Sequence, residues 1–190
     1  MGITQISLDR INKYLQPNSK IFIVGCQNLY NMENYGEIAA NYFKMAGHVV
    51  KDIDIYECNG CQIADLRDDW RAEPYFDMVF QHGTIEHIDG GLYQPLKNLH
   101  ESCLIGGLMI HENPLTNNWP LHGKHYFTKD FWTAFADRCN YEVHELTEEA
   151  SMGNYVDGWN VSCVLKKTAD SVWLSEKEFD KIYKLYIKSK

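Results

Sequence analysis

No apolar stretch in these 190 residues approaches the roughly 20 that a membrane span needs. Positive charge is also short. There are 18 Lys and Arg against 26 Asp and Glu, for a formal net charge of -8. That balance argues against a nucleic-acid partner, because a phosphate backbone calls for a basic surface. The local exception, "KIYKLYIKSK", reads as the solvated face of a terminal helix with Ile182, Leu185 and Tyr186 turned inward. Residues Met1 to Asp9 lack a basic region followed by an apolar core, so no secretory signal is expected. Ile6 stands where N-myristoylation wants Ser or Thr. A cytoplasmic protein with no membrane partner is the expectation.

The six cysteines are scattered, and without an export signal they are expected to be thiols. Cys58 and Cys61 form a C-x-x-C, but no second pair or helix start accompanies it. It reads as a turn through Asn59-Gly60. Internal repeats, low-complexity tracts and linkers are missing too, so residues 1–190 read as one domain, with a helical lead-in over 1–17 and a C-terminal helix over 175–190.

What is present is a regular alternation. "KIFIVG", an apolar run without period two, suits a parallel strand buried on both faces. A helix follows over 35–47, with Gly47 at its end. "HVVKDID", the short "CQIADL" and "YFDMVFQHG" read as further strands. A helix over "LYQPLKNLHESC" leads to a fifth strand, "GGLMIHEN". Thr128 is a plausible N-cap for "TKDFWTAFADRCN", and "YEVHEL" and "WNVSCVLKK" close the domain. The pattern predicts an α/β fold: a seven-stranded, mostly parallel sheet with helices on both faces and an antiparallel strand at the C-terminal edge. In such sheets ligands sit beyond the C-terminal strand ends. The residues there are Gly25-Cys26-Gln27, Asp54, Asp65, His82-Gly83 and His111-Glu112-Asn113.

Read together, these strand ends resemble the class I S-adenosylmethionine-dependent methyltransferases, which have a Rossmann-like fold. "FDMVFQHGTIEHI" looks like that family's fourth-strand signature. Asp54 in "DID" matches its ribose-binding acid, and Asp65 in "IADLRD" the residue that accepts from the adenine amino group. "CLIGGLMIHENP" looks like the turn into strand five, and "HYFTKDFWTAFADRCNYEVHEL" like the last helix and sixth strand. The resemblance spans roughly 20–167. It departs in the first loop, where Ile23 replaces an acid and Gln27 and Leu29 replace two glycines, while Gly25 is kept. S-adenosylmethionine has no pyrophosphate, so an anion cradle is dispensable.

The resemblance implies S-adenosylmethionine as cofactor, held by Gly25, Cys26, Gln27, Asp54, Asp65, His82, Gly83 and Glu86. Gln27 or Asn28 would serve its amino-acid end. It accounts for Glu86-His87 without a metal, and none is expected. For a hydroxyl acceptor, His82, His111 or His125 would take the proton, since histidine titrates near neutrality. The loop "HENPLTNNWPLHGKHYF" would form a substrate wall. The function implied is methyl transfer to a small-molecule or sugar-like acceptor, with a homodimer as a possible assembly. Two other readings stay open: a non-catalytic binding or scaffold protein on this fold, and a nicotinamide oxidoreductase, which the missing phosphate glycines disfavour.

Overall fold

Successive residues of a strand point to opposite faces of its sheet, so the run Ile21-Phe22-Ile23-Val24 can be apolar throughout only if both faces are covered. The computed structural model, which describes residues 2–30, 33, 35–70, 74–150 and 158–189, shows that they are. The chain opens with β1 (Gly2–Thr4) and α1 (Gln5–Tyr14), then β2 (Lys20–Val24), β3 (Asn28–Tyr30), α2 (Ala39–Met45), β4 (Val49–Asp54) and β5 (Gln62–Ile63). Next come β6 (Phe76–His82), α3 (Tyr93–Ser102), β7 (Cys103–Pro114), β8 (His125–Tyr126) and α4 (Lys129–Cys139). The described chain ends with β9 (Glu142–Ala150), β10 (Trp159–Lys166), α5 (Glu176–Tyr186) and β11 (Lys188–Ser189).

Seven strands form the central sheet in the order β5-β4-β2-β6-β7-β10-β9. Ile21 and Ile23 join Phe80, Ile110 and Val164 against Leu8 and Ile11 of α1 and Phe43 of α2. Phe22 and Val24 face the other way, with Val79, Met109 and Cys163, toward α3, α4 and α5. All strands run parallel except β10, which is antiparallel to both β7 and β9. The expected reversed strand therefore lies one place inside the edge, and β9 is the edge strand. Only eight residues separate β9 from β10, too few for a parallel crossover.

The helices sit where predicted, with trimmed ends. Thr128 caps α4 by accepting from the Phe131 amide at 3.1 Å, and Ser175 and Glu178 form a capping box at α5. The lead-in helix starts only at Gln5, because residues 2–4 pair parallel with β3. Among the described residues of the tail, Ile182 is buried, but Leu185 points to solvent, contrary to expectation. Arg10 is buried on the sheet side of α1. Its guanidinium donates to Glu145 at 3.1 Å and Glu149 at 2.6 Å, fastening α1 to β9.

The chain runs outward from β2 to β4 and β5, then returns to β6 on β2's other side. This reversal of strand order opens a crevice beyond the C-terminal ends of β2 and β4, where the candidate site lies.

Candidate functional site

Gly25 follows β2 at φ +83°, a conformation natural to glycine. Its amide donates to the Ile53 carbonyl at 2.8 Å. A Cβ there would lie 2.5 Å from Thr84 Oγ1 and 2.9 Å from Gln27 Nε2. This tight turn forms one wall of a cavity of about 240 Å³. Ile53, Ile55, Leu66 and Ile88 supply apolar surface, while Asp54, Asp65 and Asp89 supply carboxylates; Tyr56, Arg67, Thr84 and His87 complete much of the rim. A larger hollow of about 570 Å³ opens beside the first residues of β4 and β6; among the described residues that line it, Lys51 alone is charged, and none supplies a carboxylate.

Of the predicted cofactor residues, Gly25, Asp54 and Asp65 line the cavity. Asp54 accepts from the Cys26 amide at 2.8 Å and the Tyr56 amide at 3.2 Å, so it is held between two loops. A carboxylate has further lone pairs, so these bonds leave it free to accept from a ligand as well. Asp65 pairs with the Arg67 guanidinium at 2.5 Å and accepts from the Arg67 amide. Its side-chain hydrogen bond to Arg67 lowers its pKa and keeps it ionised.

The other cofactor expectations fall elsewhere. The Gln27 side chain is turned into the protein, donating to the Val24 and His82 carbonyls and to Thr84 Oγ1, each at 3.0 Å. It braces the loop where a second glycine would leave room, and it does not line the cavity. Cys26 forms a disulfide with Cys58, which corrects the expectation of six thiols. The loops after the adjacent strands β2 and β4 bring their Cα atoms to 6.1 Å, within the usual range for a bridge. The turn at Asn59-Gly60 forms as predicted, with both residues at positive φ. Gly83 lies behind the cavity, its amide on the Glu112 carbonyl at 3.0 Å. Glu86 is fully buried and sits outside the cavity wall.

A base role does not fit the three predicted histidines. His82 and His111 are 2% and 1% exposed, and neither lines the cavity. Burial pushes both down to about 3, so each is neutral, and His111 stacks on Trp132 with ring centroids 4.6 Å apart. His125 is held at both nitrogens, by the Ile88 carbonyl at 2.9 Å and the Tyr183 hydroxyl at 2.6 Å. Burial lowers its pKa as well.

Sequence reasoning missed Tyr56, Arg67, Thr84 and His87 in the cavity wall. Tyr56 and Arg67 each lie two residues beyond a predicted acid, so position relative to the strand ends was a usable signal. His87 stands beside Glu86 in the sequence, but nothing in the string shows that it, rather than His82, reaches the opening.

No protein-family model and no curated protein matches the chain. Solved structures do. A methyltransferase from Methanosarcina mazei, described as S-adenosylmethionine-dependent, superposes with TM-score 0.64 at 12% identity, over 88% of this chain and 99% of that one. TehB from Haemophilus influenzae gives 0.65 at 15% identity, over 85% and 61%. The 1,6-didemethyltoxoflavin-N1-methyltransferase of Burkholderia thailandensis, solved with its substrate and S-adenosylhomocysteine, gives 0.64 at 12%, over 86% and 77%. The fold is that of the class I S-adenosylmethionine-dependent methyltransferases. At such identities the likeness speaks for the Rossmann-like architecture; the chemistry has to be argued from this chain's own residues.

Proposed function

We propose that this protein is an S-adenosylmethionine-dependent methyltransferase acting on a small-molecule or sugar-like acceptor. The observation that carries this reading is the convergence of Asp54 and Asp65 on one partly apolar cavity at the switch in strand order. Two carboxylates beside apolar walls suit a nucleoside, with ribose hydroxyls donating to Asp54 and the adenine amino group to Asp65. The volume of about 240 Å³ is below the roughly 300–1,000 Å³ usual for ligand sites, which fits a nucleoside better than a dinucleotide. The residues present therefore fit the cofactor's adenosine half.

When bound, S-adenosylmethionine would supply the methyl group on its sulfonium. This chain's contribution would be to hold the adenosine half, fix the line of approach of the acceptor and exclude water, and such positioning is worth several kcal/mol in transfer reactions. Similarity to enzymes whose names specify small molecules, such as didemethyltoxoflavin, supports an acceptor of that size.

A second reading, a binding or scaffold protein without catalysis, is favoured by the inward Gln27 and by the Cys26–Cys58 tie across the cavity's edge. Calorimetric titration with S-adenosylhomocysteine, with NADH as control, separates the two. Micromolar binding of the first and none of the second is expected, and Asp54→Ala should weaken it about 10- to 100-fold, the loss of hydrogen bonds to a charged group. Absence of binding to either compound would retire the methyltransferase reading and leave the scaffold one.

A further inference from the structure

The single turn of 3-10 helix after β6, Ile85–His87, carries a carboxylate that the cofactor reading does not use. Glu86 is fully buried. Its Oε2 accepts from Asn113 Nδ2 at 3.1 Å, but Oε1, equally buried, has no hydrogen-bond partner. A buried carboxylate oxygen left unpaired is costly. This one faces two imidazoles, with His87 Nε2 at 3.8 Å and His122 Nε2 at 3.7 Å. Lys124, a cation close by, is engaged with Asp89.

The geometry points to a site for a divalent transition-metal ion held by Glu86, His87 and His122. One ligand atom from each lies within 4.8 Å of the others. Ligands about 2.0–2.2 Å from zinc stand ~3.3 Å apart in a tetrahedron, so a small inward rotation of two side chains completes the set. Both histidine side chains are 39% exposed, which leaves them free to make that move and gives the ion an entry path. Two imidazoles and a carboxylate select zinc or iron over magnesium or calcium and leave coordination positions open.

The loop that brings His122 is built to approach this turn. Gly123 packs so closely that a Cβ would lie 3.0 Å from both Cγ and the carbonyl oxygen of Glu86. The next amide, that of Lys124, donates to the same carbonyl at 2.7 Å. The sequence expectation of no metal weighs Glu86-His87 within its own loop, and the Cys58/Cys61 pair separately. The third ligand arrives from 35 residues downstream, which spacing alone does not reveal. His87 also lines the cavity, so the ion would stand at its wall. On the methyltransferase reading, on which this clause rests, it would offer a Lewis acid to a hydroxyl acceptor.

Zinc binding tests the site independently of catalysis. The metal-free full-length protein, titrated calorimetrically with zinc sulfate, should take up one ion at micromolar affinity or tighter. His122→Ala and His87→Ala should each weaken binding at least about 10-fold with unchanged thermal midpoints in the absence of zinc. His144→Ala, an exposed histidine beside Glu142, should bind as the parent does. No uptake, or undiminished uptake by His122→Ala, overturns the site. S-adenosylhomocysteine titrated into the same samples separates the two ideas: loss of the nucleoside isotherm with zinc binding intact would sink the methyltransferase reading alone.

Discussion

At the scale of single residues, Gly25 links fold and site most directly. It is the one glycine retained in the loop after β2, and two independent constraints act on it: a φ of +83° and a Thr84 Oγ1 that a methyl group would press at 2.5 Å. Thr84 cannot yield freely, since its hydroxyl donates to the Val24 carbonyl at 3.0 Å. Gly25→Ala should therefore cost more than about 1 kcal/mol, read as a lower urea midpoint, and should weaken S-adenosylhomocysteine binding. A variant as stable as the parent would show that the turn relaxes easily. The sequence announces this position through the apolar strand that precedes it. It does not announce Gln27, whose amide has the right chemistry to meet a ligand but finds three oxygens of its own chain first. A side chain's direction depends on neighbours distant in sequence, and His82 and His111 illustrate the same point. His82 ends β6 and His111 lies in the last third of β7, the part of a strand where functional residues gather, yet both are buried in packed layers.

At the scale of elements, strands and helices long enough to carry a period were legible, including α4 with its Thr128 cap and the helix after Ser175. The pairs β1–β3 and β8–β11 were not, because segments of two or three residues have no pattern to read. The link between the loops after β2 and β4 was equally hidden, since a C-x-x-C draws attention to Cys61 while Cys58 bonds to Cys26 across 32 residues. Closing a loop of that length should stabilise the protein by about 3–4 kcal/mol on the chain-entropy account. Cys58→Ser should lower the urea midpoint accordingly. The unreduced protein, unfolded in denaturant, should titrate only the thiols of Cys61, Cys103, Cys139 and Cys163. A count that includes Cys26 and Cys58 would remove the bridge.

At the scale of the whole molecule, burial of imidazole sets an acid limit. His82, His100 and His111 are each driven by burial from the ordinary value of 6.5 to about 3. His82 and His111 are neighbours, and His82 adds to the lowering at His111; His82 also lies near Arg10 and Glu112, His111 stacks on Trp132, and His100 sits apart, against Tyr141 and near Lys167. The unfolded chain takes up these protons below about pH 6.5, while the folded one refuses them until about pH 3. The unfolded state thus binds more protons throughout that window, so stability is fully present above it and falls as pH drops through it. Three such groups give a slope of up to about 4 kcal/mol per pH unit. Urea midpoints measured between pH 7 and 4 should fall steeply. His111→Phe, which preserves a flat ring against Trp132, should reduce the slope by about a third. An unchanged slope in that variant would mean that His111 takes up its proton in the folded state, and so is reached by water from a side the packed layers here close off.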